Sequence, residues 1–177
     1  MRSFYFILKG DHGVLRLPIV CHSLFGLRLG VEFFLDLMRR GYSMAGWCCM
    51  CWSAGETVDH LLLHCNLVSH LWRFILRFFG IQWVLAEKVV DSLFRWRNRF
   101  GKHMSGVWNL VPLCLMWTIW KERNSRIFED KASSMDQLTG SFVNELFDWS
   151  RIWGLTTATI VTDFVDSLGS MPSFSTL

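Results

Sequence analysis

The chain has 177 residues, room for one hydrophobic core with a terminal annex. Its make-up, 51% hydrophobic with ten Trp and fifteen Phe, is that of a helical, aromatic-rich globule. A net charge of +3 permits contact with a polyanion without arguing for one. The most apolar stretch, Val107–Trp120, is interrupted by Asn109 and Pro112. It falls short of the roughly twenty residues that a membrane span needs, so a buried helix is expected and no membrane contact.

Arg2 to Leu8 alternates weakly, as a short strand or the start of a helix, and Gly10-Asp11-His12-Gly13 signals a turn. Val14 to Gly30 is apolar without periodicity, and its Cys21-His22 pair has no partner pair nearby, so it reads as ordinary core. Met1–Lys9 carries one Arg and too short an apolar run for a secretory signal, which points to a reducing, intracellular setting, nucleus or cytoplasm. Val31 to Arg40 reads as a helix with Phe33, Phe34, Leu37 and Met38 on one face, closed by Gly41.

The next stretch is the most informative. Trp47-Cys48-Cys49-Met50-Cys51 is followed by Glu56-Thr57-Val58-Asp59-His60-Leu61-Leu62-Leu63-His64-Cys65. Tetrahedral zinc takes four thiolate or imidazole donors as two close pairs. Cys48 and Cys51, two residues apart within a turn, make one pair. His60 and Cys65 make the other, with His64 as a spare donor. In a reducing compartment such clusters favour metal over disulfides. Thr57 can cap a short helix from Val58, with His60 and His64 one turn apart on the same face and Leu61, Leu62 and Leu63 packed around the site. Asp59 has two readings, an acceptor that orients a ligand imidazole or a solvated acid at a helix start.

Asn66 caps the following helix and Gly80 closes it, with Leu71, Phe74, Ile75 and Phe78 as the core face and Arg73 and Arg77 opposite. A helix over Glu87–Phe100 buries Val89, Leu93, Trp96 and Phe100. Its Arg95, Arg97 and Arg99, with Lys102 beyond, interleave cations with aromatics, the mixture that grips phosphates and stacks on bases, although any amphipathic helix has such a face. Leu110, Cys114, Trp117 and Trp120 stripe a third helix with Pro112 in its first turns, ending at Lys121-Glu122-Arg123-Asn124-Ser125-Arg126. Ser134 and Gln137 form a capping box for a fourth, Met135 to Trp153, stopped by Gly154 and lined by Leu138, Phe142, Leu146, Trp149 and Trp153. The tail from Leu155 is expected to be peripheral or flexible, with a weakly helical Val161–Leu168.

No catalytic constellation emerges. His60-x3-His64 has Leu61 where a zinc protease needs a Glu base. No aspartate pair is set to hold two Mg²⁺ ions, and no Gly-rich phosphate loop is present, so no small-molecule substrate is expected.

The finger residues, with Leu71-Trp72, Phe79-Gly80-Ile81-Gln82-Trp83-Val84, Trp108–Trp117, Ile119-Trp120-Lys121-Glu122-Arg123-Asn124 and Arg126-Ile127-Phe128-Glu129-Asp130, resemble the zinc-binding domain near the C-terminus of plant LINE-type retrotransposon reverse transcriptases. The resemblance covers residues 38–153 and implies one structural zinc on Cys48, Cys51, His60 and Cys65, in a module that helps a polymerase hold RNA or target DNA. Ser3-Phe4-Tyr5 resembles the family's entry segment, but Val14 to Leu37 depart from the pattern, so residues 1–37 read as a degraded or partial part of the domain and 154–177 as its tail. Neither a polymerase palm nor an endonuclease has room here, so the expectation is a non-enzymatic, mainly α domain with a CCHC zinc turn and little or no sheet. Its expected activity is nucleic-acid binding. The alternatives are a protein-interaction module docking through its aromatic helical faces, or a retroelement relic.

Overall fold

A computed structural model describes residues 5–10, 13–18, 46–100 and 106–169. The helix expected over Val31–Arg40, the Cys21-His22 pair and Lys102 lie outside them. The weakly alternating N-terminal stretch is a strand, β1 (Tyr5–Gly10), paired antiparallel with β2 (Gly13–Pro18) in a register running from Tyr5↔Pro18 to Gly10↔Gly13.

The described residues are otherwise mainly helical. A hairpin over residues 46–56 leads into a π-turn, His60–His64, and then into α1 (Asn66–Phe78), α2 (Val89–Phe100), α3 (Gly106–Phe128), α4 (Met135–Ile152) and α5 (Val161–Gly169). Two helix ends show the chemistry that stops them. Gly80 (φ +65°) and Gly154 (φ +63°) adopt the left-handed conformation that glycine tolerates best. After α1, Gly80 N–H donates to Arg77 O and Ile81 N–H to Leu76 O; after α4, Gly154 donates to Arg151 O and Leu155 to Ser150 O. Both are Schellman closures. At the start of α4 the capping box is present, with Gln137 N–H donating to Ser134 Oγ and Ser134 N–H to Gln137 Oε1.

α1 buries Val68, Leu71, Trp72, Ile75 and Leu76. Leu71 and Ile75 are core as expected, but Phe74 and Phe78 are 47% and 39% exposed. The buried stripe centres near Trp72, whose indole donates to Leu62 O at 2.8 Å. At 100° per residue this turns Phe74 and Phe78 about 130° and 90° away from the centre of the core face.

Around Trp72 the core is a cluster of rings. Trp96 stacks on Trp108 at 4.3 Å and meets Trp72 and Trp83 edge-on at 6.1 and 6.0 Å, while Phe79 meets Trp108 at 4.6 Å. Such offset and edge contacts suit the aromatic quadrupole. α3 runs through Pro112, which offers no N–H to the carbonyl four residues back. That carbonyl, Trp108 O, instead accepts from the Trp96 indole at 3.3 Å.

α3 and α4 pack lengthwise, with Cys114 Sγ 3.7 Å from Phe142 O, and Leu110, Leu115 and Ile119 of α3 and Leu138, Leu146 and Trp149 of α4 are buried. Lys121 and Glu145 bridge the pair. The polar run expected to end α3 lies inside it, because Glu122 and Arg123 are buried side chains with partners. The C-terminal stretch is less peripheral than expected. Phe164 of α5 is fully buried against Phe147, with ring centroids 5.4 Å apart. Among the described residues no helix is long and apolar enough to cross a membrane.

Candidate metal centre

The hairpin that carries the first two cysteines is closed by backbone contacts. Trp47 bridges Gly55, Cys48 N–H donates to Ala54 O at 2.8 Å, and Trp52 N–H donates to Cys48 O at 2.8 Å. Trp52 holds φ +55°, a left-handed conformation rare for a bulky residue and maintained only where the surroundings dictate it. The tight turn aims the Cys48 and Cys51 sulfurs at the same point. It also leaves the Trp47 and Trp52 indoles 63% and 73% exposed.

The second pair comes from the π-turn. Thr57 starts the turn as expected, its Oγ1 accepting from His60 N–H at 3.1 Å. Cys65 N–H then donates to His60 O at 2.6 Å, a bond across five residues. In an α-helix, residue i+5 would sit about 140° round from residue i. The wider turn swings Cys65 back toward His60, a use of π geometry that recurs at functional sites.

The four donors meet. Sγ of Cys48, Cys51 and Cys65 and a ring nitrogen of His60 all lie within 4.8 Å of one another. Cys48 Sγ is 4.0 Å from Cys65 Sγ, and Cys51 Sγ is 3.3 Å from His60 Nε2. A tetrahedral zinc with ordinary bond lengths separates two sulfurs by about 3.8 Å and a sulfur from a nitrogen by about 3.6 Å. The donor set therefore fits a four-coordinate ion with little movement. Cys48 and Cys65 are fully buried, Cys51 and His60 half-buried, and Leu61, Leu62 and Leu63 close the interior side.

His64, the spare donor, is not in this group. It is exposed, and its Nε2 is 2.9 Å from Glu87 O. Asp59 follows neither expected reading: its Oδ1 accepts from Val89 N–H at 2.8 Å and so caps α2. Asn66 is the first residue of α1, and the cap position falls to Cys65.

The thiols differ in acidity. Burial pushes Cys65 up to about 12, against the Val68 and Leu67 amides at the start of α1, and it also raises Cys48, against the Met50 and Cys51 amides. Burial acts the same way on Cys51, but the Ser53 amide and hydrogen bonds from His60, Cys48 and Cys65 outweigh it and bring Cys51 down to about 6. Cys51 is thus the most readily ionised of the three, and an entering cation would supply the charge that ionises the others. Cys49 points elsewhere, its Sγ 4.0 Å from Arg123 O, and burial first, then Glu56, raises it to about 11.

A clasp from α3 holds the hairpin. Arg123 donates to Glu56 Oε1 from Nε at 3.1 Å and Nη2 at 2.8 Å, and its guanidinium lies 5.5 Å from the Trp120 ring centroid. Arg126 reaches Met50 O from Nη1 at 3.3 Å, while its Nε binds Glu122 Oε1 at 2.7 Å. Nothing local in the sequence announces this clasp, since Glu56 and Arg123 are 67 positions apart.

Of the cations expected to contact nucleic acid, Arg95 is exposed on α2, and Arg97 and Arg99 lie in the same helix where only the backbone is described. Compared with family models, curated proteins and solved structures, the chain matches none.

Proposed function

We propose that this chain is a zinc-binding module of the reverse-transcriptase zinc-binding type, derived from a retrotransposon, that binds nucleic acid and catalyses no reaction. Cys48, Cys51, His60 and Cys65 would hold one zinc ion, and the ion's contribution is to fold the hairpin and the π-turn onto the helices. The observation that carries this reading is the convergence of three thiols and one imidazole within 4.8 Å. Four protein donors complete a tetrahedral shell and leave no position for a water or substrate, which is the pattern of a structural site.

Support for nucleic-acid binding comes from the resemblance of residues 38–153 and from the excess of three positive charges. Arg95 is exposed, and so are the two indoles on the hairpin. Exposed rings and exposed cations are the groups that stack on bases and hold phosphates. The test measures binding of labelled RNA and DNA by the zinc-loaded chain across a salt series. Affinity that falls steeply with salt, and falls further when Arg95, Arg97 and Arg99 are replaced together, is the expected result. Absence of binding at low salt would refute the nucleic-acid reading.

A further inference from the structure

α1 carries a second face that packing covers only in part: Phe78 meets Phe79 edge-on at 5.2 Å and Phe74 and Phe78 border an apolar cleft, yet both rings keep exposed surface. Along Asn66–Phe78 the burial alternates in pairs: Leu71 and Trp72 buried, Arg73 and Phe74 exposed, Ile75 and Leu76 buried, Arg77 and Phe78 exposed. Arg73 and Arg77 stand four residues apart, about 6 Å along the axis, and so do Phe74 and Phe78. Each ring follows its arginine by one residue, so the aromatic stripe lies about 100° round the helix from the cationic stripe. His70 is exposed on the cationic side.

Two features separate this face from an ordinary solvated one. First, the helix contains no Asp or Glu, and among the described residues neither arginine is in an ion pair. Cations elsewhere have acids beside them: Arg126 pairs with Glu122, Lys121 with Glu145, and Arg95 has Asp91 one turn before it. Second, the side chains beside the arginines are phenylalanines, 47% and 39% exposed, where a helix that only meets water would carry polar groups. The partner that matches is an anion repeated along a line, with flat apolar groups between the charges.

We infer that this face of α1 binds single-stranded nucleic acid, with phosphates on Arg73 and Arg77 and bases stacked on Phe74 and Phe78. The inference rests on the nucleic-acid reading above and adds to it the strandedness and the surface. In a duplex the base faces are occupied by their neighbours, so rings on a protein surface gain contact only with an unpaired strand. An acidic amphipathic peptide is the competing occupant. The cleft beside the rings, between α1, α4 and α5, argues against it. Phe74 and Phe78 themselves line it with Phe142, Leu146, Phe164 and Leu168, and its volume of about 110 Å³ is too small to seat the several side chains of a docking helix.

The experiment uses the full zinc-loaded chain and fluorescence anisotropy of a short labelled oligouridylate, an equally long RNA duplex and an acidic amphipathic peptide. Wild type is expected to prefer the single strand to the duplex by about tenfold or more. F74A/F78A is expected to lose about tenfold or more in single-strand affinity with an unchanged salt slope, and F74Y/F78Y to restore it. R73Q/R77Q is expected to lower the slope of log affinity against log salt by about 1.4, two contacts at about 0.7 each. Metal content and far-UV circular dichroism report whether each variant is folded, and the tyrosine and glutamine variants retain most of the packing if the alanine pair is damaged. Equal affinity for strand and duplex, wild-type binding by F74A/F78A, or preference for the peptide would overturn the inference. The first two outcomes leave the broader nucleic-acid reading standing, whereas a wild-type chain that binds neither RNA, nor the single- or double-stranded DNA of the same length, removes both.

Discussion

Arg123 near the end of α3 donates two hydrogen bonds to a single oxygen of Glu56, at 2.8 and 3.1 Å, and both side chains are withdrawn from water. This pair ties the hairpin that carries Cys48 and Cys51 to α3. Removing one member strands the other charge in the interior.

Arg123→Met is therefore expected to destabilise the fold by about 3–5 kcal/mol, the range for breaking a buried pair from one side. Replacing both members, Arg123→Met with Glu56→Leu, is expected to do less damage than the single change, because no charge is left unpaired. Urea denaturation of the zinc-loaded proteins measures both. A single variant within about 1 kcal/mol of wild type would contradict the clasp.

Glu122 makes a pH prediction. Although burial opposes its ionisation, hydrogen bonds from Ser133 and Arg126 hold its carboxyl below the ordinary value of 4.5. A lowered folded value means stability that is fully present above the ordinary value and lost as pH falls through the lowered one. The advantage of wild type over Glu122→Gln should thus be constant near neutrality and shrink below pH 4.5. Chemical denaturation at a series of pH values tests this, and an advantage that grows toward acid would have the wrong sign.

Pro112 and Trp96 are predicted to be energetically coupled. Trp96→Phe leaves Trp108 O without the indole donor, which should cost about 1–3 kcal/mol. In a Pro112→Ala background the helix regains an N–H four residues after Trp108, and the same change should cost at least about 0.5 kcal/mol less. Additive effects in the double-mutant cycle would rule out the exchange of donors.

Much of the candidate centre could be read in the sequence because it is local. The Cys48-x2-Cys51 spacing dictates a turn whose sulfurs converge, and Thr57 marks where the following turn begins. Spacing alone does not exclude His64 in place of His60. The choice depends on a π-turn closed by Cys65, while helical spacing treats the two histidines as equivalent neighbours. Phe74 and Phe78 misled for a related reason: apolar spacing cannot see that the Trp72 indole, by binding Leu62 O, sets the rotation of α1. Arg123 reads in the sequence only as part of the polar run that ends a helix, since its partner Glu56 is remote in the chain.

The histidine assignment is tested by paired variants. His60→Ala should abolish tight metal binding and render the stretch from Trp47 to Trp72 sensitive to protease, since metal binding in such modules supplies on the order of 10 kcal/mol. His64→Ala loses only the contact to Glu87 O and should keep a full equivalent of metal. Reversed results would place the ligand on the wrong residue here.

The most direct test is cobalt substitution of the purified chain, read by metal content and the visible spectrum. One equivalent of cobalt, with strong thiolate charge-transfer and tetrahedral d–d bands that zinc displaces, is the predicted result, and Cys48→Ser, Cys51→Ser and Cys65→Ser should each weaken them. Failure to take up one equivalent, or a spectrum unchanged in all three cysteine variants, would contradict a metal centre on Cys48, Cys51, His60 and Cys65.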